Sequence, residues 1–136
     1  MEAVNGTTPA QETLTLARAA NFAAVTTLLP DGHPQTQITW IDTDGKHLLV
    51  NTPATSQKAR NAARDPRITV TIWNQVNPFE YAEVRGTVTE IRGEAAAAEH
   101  IHHVAHKYFG GDYPRPQGRA VLVITPQRQL LARPPR

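Results

Sequence analysis

The segment SQKARNAARDPR opens at Ser56 and carries Lys58, Arg60, Arg64 and Arg67 against one carboxylate, Asp65. Apolar runs flank it, HLLVN before and ITVTIW after, so it reads as a short connector between two strands. Thr52 or Thr55 is placed to cap a helix over about residues 55–64. Asp65-Pro66 ends that helix, because a residue before proline is pushed out of the helical region. A helix start offers unpaired backbone N–H groups and the positive end of the peptide dipoles. Ser56, Gln57 and Lys58 would add hydroxyl, amide and ammonium donors there, which together make an anion site. Lys58 and Asn61 share one helical face, Arg60 and Arg64 another. The plainer alternative is a solvated helix with ordinary surface cations.

A second cluster, EHIHHVAHK, sets His102 and His106, and Glu99 and His103, four residues apart, a spacing able to hold a metal on one helical face. The His-Glu-x-x-His order of metalloproteases is absent. Solvent-facing histidines on an alanine-rich helix explain the segment, so no metal is expected. No nucleophile elbow accompanies the histidines, and no Gly-rich phosphate loop, zinc finger or RNA-binding signature occurs. Trp40, Trp73, Phe79 and Tyr81 could stack on a flat ligand, or fill a core or a dimer interface.

The elements that must position these residues belong to a chain of 136 residues, a length that fits one domain. A formal net charge of +2 is a weak argument for nucleic acid, and no such partner is expected. The absence of cysteine excludes disulfides, thiolate metal sites and a cysteine nucleophile. No apolar run approaches the ~20 residues of a membrane span, and MEAVNGTTPAQE has no apolar signal core, so a cytoplasmic protein with no membrane partner is expected.

Residues 1–10 read as a flexible arm, 11–131 as a single domain, and 132–136 as a flexible tail. QETLTLARAANF suggests a short amphipathic helix with Thr13 or Glu12 near its start, and Leu14, Leu16, Ala17, Ala20 and Ala24 as candidate buried positions. PDGHP is a turn between strands at roughly 22–29 and 35–42, and Asp44-Gly45 is a turn before a third strand at 46–51. RITVTIWN and YAEVRGTVTEIRG follow the connector as strands, with Gly86 marking a bulge. EAAAAEHIHHVAHKYF is helical with Gly110-Gly111 as its stop, and RAVLVITPQRQLL is a last strand. Consecutive hairpins without βαβ alternation favour a mainly β, α+β fold: six strands in a small antiparallel barrel with short flanking helices.

The hairpin VTTLLPDGHPQTQITW, the strand end VNT, then SQKARNAARDPRITVTIW and YAEVRGTVTEI together resemble the flavin/deazaflavin oxidoreductase superfamily, founded on pyridoxamine 5′-phosphate oxidase. Within it they are most similar to the small actinobacterial branch that uses the deazaflavin coenzyme F-420. KARNAARDPR is the most specific part, and the resemblance spans about residues 12–131. It implies a split β-barrel, a homodimer, and cofactor grooves between subunits. It assigns Thr52, Ser56, Gln57, Lys58 and Asn61, with Arg60 beside them, to the cofactor phosphate and its attached chain. It turns Gln35, Thr36 and Gln37 toward the cofactor, runs Val70–Trp73 beneath the ring system, and brings Tyr81 in from the partner subunit.

Flavin-mononucleotide (FMN) oxidases of the superfamily carry an arginine on the second strand and a lysine five residues later, where this chain has Gln37 and Asp42. They also favour Arg-Lys where this chain has Gln57-Lys58. Lys58 alone would then face the phosphate. A single ammonium suits a singly charged phosphodiester, as in F-420, better than a doubly charged monoester. Arg60 and Arg64 could attract the acidic oligoglutamate tail of that coenzyme. The resemblance therefore implies an F-420-dependent reductase acting on an unsaturated small-molecule acceptor of enone, quinone or tetrapyrrole type. No triad or dyad is needed, because the cofactor carries the chemistry. The alternatives are an FMN-binding oxidase or reductase, and a non-catalytic protein that binds deazaflavin or haem. Acceptor contacts are expected from NQVNPFE, YFGGDYPRP and the N-terminal arm.

Overall fold

A computed structural model describes residues 1–134. Eight strands and three helices follow in the order β1 (Glu2–Asn5), α1 (Gln11–Arg18), β2 (Phe22–Leu28), β3 (Pro34–Trp40), β4 (Asp42–Thr43), β5 (Leu48–Pro53), α2 (Gln57–Arg64), β6 (Arg67–Trp73), β7 (Tyr81–Gly93), α3 (Glu94–Phe109) and β8 (Arg119–Ala132). All strand pairs are antiparallel. The sheet order is β3-β2-β6-β7-β8-β5-β4, with β1 also on β8. The expected six strands are thus eight, and the sheet is open, ending at β3 and β4.

The sheet nevertheless curls. Ala23 and Val25 of β2 share one buried cluster with Leu48 and Val50 of β5, from the opposite end of the strand order. Alternation drives this: residues 23, 25 and 27 of β2 point inward while 22, 24, 26 and 28 are half-buried on the other face. Leu16 and Ala17 of α1 and Ala62 of α2 close the same core. A smaller cluster of Leu49, Ala97, Val121 and Val123 seats α3 on the other face of β5 and β8. Gly110, in the left-handed conformation at φ 78°, stops α3.

The described residues near both ends of the chain join the sheet. The segment 1–10, expected as a flexible arm, contributes β1, which pairs Glu2–Asn5 with Arg128–Leu131 of β8. Gln129 anchors the stretch after it: its carbonyl oxygen accepts from Ala10 N (3.0 Å) and Thr13 Oγ1 (2.7 Å), and its amide donates to Thr8 O (3.0 Å). Of the expected tail, Ala132 still pairs with Tyr81, and Arg133 bridges Glu2 (2.9 Å) and Glu12. Residues 135–136 of that tail lie outside the described residues. Helix α1 begins at Gln11, with Glu12 in its first turn as expected, whereas Ala24 belongs to β2 and not to this helix.

The register of β7 on β8 shifts between Arg85 and Gly86, the bulge expected at that glycine. A Cβ at Gly86 would stand 2.3 Å from Thr125 O. Gly86→Ala should therefore force the two longest strands apart and lower stability by ~1–3 kcal/mol, the usual range for overpacking. Urea denaturation with an unchanged m-value checks it.

Candidate functional site: a cationic cleft at the gap in the sheet

The gap between the two ends of the sheet leaves a cleft of ≈ 330 Å³. Ile38, Thr39 and Trp40 of β3 form one side, Asn51, Thr52 and Pro53 of β5 the other. Lys58 of α2, Ile101 of α3, Tyr113 and Arg119 complete it.

Ser56, not Thr52 or Thr55, is the N-cap of α2; its Oγ accepts from Ala59 N at 3.2 Å. Thr52, on β5, has another role. Its hydroxyl donates to Ser56 Oγ (2.9 Å) and accepts from Lys58 Nζ (3.1 Å). Lys58 is only 8% exposed. Among the described residues no carboxylate lies within ion-pair distance of it. Burial, and then the charge of Arg119, hold its ammonium below the usual lysine range. Arg119 opens β8; its Nε donates to Asn51 Oδ1 (2.7 Å), and its guanidinium lies 4.9 Å from the Tyr113 ring centroid. Two cations at one end of a cleft, with no carboxylate paired to either among the described residues, make an anion site. This corrects the expectation of a solitary ammonium, and with it the charge count that favoured a phosphodiester.

The rest of the cleft is apolar and aromatic. Trp40 stacks on Tyr108 at 4.7 Å with 7° between planes, and Tyr113 meets its edge at 6.1 Å. The Tyr108 hydroxyl accepts from Ile41 N (2.9 Å) and donates to Asn21 O. Burial pushes it up to about 12, so it is an uncharged anchor for Trp40 at neutral pH. Thr39 Oγ1 is buried without a hydrogen-bond partner and is the one such side-chain atom among the described residues. An orphaned hydroxyl, two unpaired cations and an aromatic wall fit a planar ligand that bears an anion.

The structure divides the other expected residues. Gln35, Gln57, Arg60 and Asn61 form a network around α2: Gln57 Nε2 donates to Asn61 Oδ1 (2.8 Å), Arg60 donates to Gln57 Oε1 (2.7 Å), and Asn61 Nδ2 donates to Thr27 Oγ1 (3.0 Å) and Gln35 Oε1 (3.3 Å). Thr36 bonds Thr26 on the opposite face of β3 (2.7 Å), and Gln37 is exposed. Tyr81 stands elsewhere, lining a second cavity with Leu16, Leu131 and Arg133.

Asp42 does not face the anion site. It accepts from His100 Nε2 (2.9 Å), with Lys107 Nζ at 3.9 Å. Burial alone would raise its carboxyl, but the hydrogen bonds from His100 and Thr43 N and the charges of Lys107 and His100 outweigh this and leave it below the usual range. His100 in turn meets Asn51 Nδ2 through Nδ1 (3.1 Å). The other α3 histidines are dispersed: His102 Nδ1 accepts from Tyr113 N (3.1 Å), His106 pairs with Asp112 (2.6 Å), and His103 is exposed. Sequence reasoning missed Arg119, Asn51 and His100. The nearest signal is the turn before Arg119, since the residue opening a strand after Gly118 borders a neighbouring strand end.

An open antiparallel barrel with an anion cleft at a helix start defines the class, and comparison with known proteins specifies it. The chain belongs to the pyridoxamine 5′-phosphate oxidase family, whose profile matches residues 9–131. Among solved structures it is similar to an F-420 reductase (26% identity, TM-score 0.75, covering 85% of this chain and 94% of that one). It also shares its fold with General Stress Protein 26 from Bacillus anthracis str. Sterne (17% identity, TM-score 0.71, covering 92% and 94%). A third likeness of fold is to HupZ from Group A Streptococcus (19% identity, TM-score 0.61, covering 85% and 89%). No curated protein matches the chain.

The buried ammonium gives a test by linkage. Folded Lys58 releases its proton more readily than the unfolded chain does, so its burial disfavours the fold at neutral pH. That penalty fades as pH rises from the lowered value toward the ordinary 10.5. Lys58→Met should stabilise the ligand-free protein at neutral pH by about 1 kcal/mol and flatten this alkaline rise. Thermal denaturation across the alkaline range measures both.

Proposed function

We propose that the protein is an oxidoreductase using the deazaflavin coenzyme F-420, with reduction of an enone-, quinone- or tetrapyrrole-type acceptor as its reaction. One observation carries the reading: Lys58 is buried, unpaired and beside Arg119 at the start of α2, in a cleft walled by Trp40 and Tyr113. Lys58, Arg119, Thr52 and Ser56 would hold the phosphate, and Ile38, Trp40 and Tyr113 the planar body. Arg60, exposed on α2, and Arg64 would favour an acidic tail. When bound, the coenzyme supplies the hydride chemistry. The chain supplies orientation and a dry wall. The likeness to an F-420 reductase supports the deazaflavin over other flavins.

A homodimer belongs to the same reading. The outward face of β3-β2-β6-β7 carries Trp40, Phe22, Trp73 and Tyr81 in register, and Ile38 on that face is 61% exposed. A second copy on this face would cover Ile38 and bring Tyr81 to the partner's cleft. The alternative cofactor is FMN, which Arg119 favours, since two cations can neutralise a phosphomonoester.

Fluorescence titration should give micromolar or tighter binding of F-420 and weaker binding of FMN; the reverse order assigns the flavin. Lys58→Ala should lose ~1.5–3 kcal/mol of coenzyme binding, the range for a hydrogen bond to a charged group. Loss of reduced-coenzyme absorbance with a panel of acceptors tests turnover, and none on any acceptor would indicate a carrier.

A further inference from the structure

A continuous hydrogen-bonded chain runs from the anion cleft to the buried carboxylate: Arg119 Nε to Asn51 Oδ1 (2.7 Å), Asn51 Nδ2 to His100 Nδ1 (3.1 Å), His100 Nε2 to Asp42 Oδ2 (2.9 Å). Each member comes from a different element: β8, β5, α3 and β4. The orientation of the Asn51 amide is settled by two contacts other than the imidazole. Arg119 Nε has only a proton to offer, so the atom facing it is Oδ1. Ala97 O has only lone pairs, and it accepts from Nδ2 at 3.0 Å. The same Nδ2 therefore donates to His100 Nδ1, which must be the unprotonated nitrogen. Nε2 carries the hydrogen and gives it to Asp42.

We infer that Asn51 and His100 are positioning residues for Arg119, and that a second proton on His100 frees Arg119 from the anion site. A proton on Nδ1 sets two donors against each other at 3.1 Å. Turning the Asn51 amide relieves that clash, but it presents Nδ2 to Arg119 Nε and leaves Ala97 O without its donor. Unturned, the amide keeps a donor–donor clash with the charged imidazole; turned, it loses its contacts to both Ala97 O and Arg119 Nε, and with the second of these the acceptor that aims Arg119. Histidine is the side chain whose charge changes between about pH 5 and 8. The charged groups facing this imidazole are Asp42 on β4, with His103 and Lys107 of α3 beside that carboxylate. Arg119 of β8 faces it through Asn51, and Lys58 of α2 stands beyond.

The sign of the effect separates this from simple electrostatics. Added positive charge on His100 or His103 would by itself strengthen anion binding in acid. Release of Arg119 weakens it. The inference rests on the anion-site reading above, and the test keeps the two apart by using sulfate, which stays fully ionised across the range, beside F-420. Calorimetric titrations of the wild type should show both affinities falling about tenfold from pH 8 to 5.5, the scale of one lost charge-assisted contact. In His100→Asn a non-titrating carbonyl can take the place of Nδ1, and the affinity should vary less than about twofold over the same range. The Arg119 Nε–H resonance of the wild type, followed by nitrogen-edited NMR, should broaden toward acid as its acceptor is lost, a readout that needs no variant. Tighter binding in acid, an equal pH slope in His100→Asn, or an Nε–H signal that stays sharp would overturn the relay and leave the anion site standing. Lys58→Ala with undiminished sulfate affinity at pH 8 would overturn the anion site and the relay with it.

Discussion

An ammonium removed from water without a carboxylate beside it is a costly thing for a small fold to keep. Lys58 is held that way, on the hydroxyl of Thr52 and within the field of Arg119. Much of the surrounding architecture serves this arrangement. Thr52, next to the end of β5, donates its hydroxyl hydrogen to Ser56, the cap of α2. The strand end, the helix start and the cation are thus linked through two hydroxyls. Because β3 and β4 end the sheet order and do not pair with each other, the space opposite Lys58 stays open. A closed barrel of the same strands would fill it.

The supports of the cleft are of two kinds. Its apolar wall is fixed by stacking, with Trp40 lying flat on Tyr108, whose hydroxyl is tied to the backbone of β2 and β4's approach at Asn21 and Ile41. Its cationic end is fixed by hydrogen bonds through Asn51. Helix α3 carries both Tyr108 and His100 and is seated on β5 and β8 by Leu49, Ala97, Val121 and Val123. One packed helix therefore sets both the aromatic wall and the reach of Arg119.

Local features were legible in the residues, and long-range ones were not. PDGHP, Asp44-Gly45, the bulge at Gly86 and the stop at Gly110 each depend on the conformational needs of a few neighbouring residues, and each stands where expected. Strands β1 and β4 are too short to show alternation; their pairing is decided by β8 and β5. The connector was readable because a helix start and its donors are contiguous. Lys58, Thr52 and Ser56 do converge there. Arg119 and Asn51 are 68 residues apart, and only the β5–β8 register brings them together. A charge count along the connector could not include a cation delivered by another strand. Gln57 and Asn61 belong to the same helix, yet Gln57 bonds Asn61 and Asn61 bonds Thr27 and Gln35 around the barrel edge, a partition set by helical phase.

Strand β8 is the last of the described elements and also the most connected, with β7 along one side and β5 followed by β1 along the other. Synthesis proceeds from the other end. Until β8 leaves the ribosome, β5 and β7 each lack a neighbour, β1 has none at all, and Asn51 has no arginine to hold. The domain can therefore close only after β8 has emerged, and a nascent chain stalled before Arg119 would expose bare strand edges to any other chain nearby.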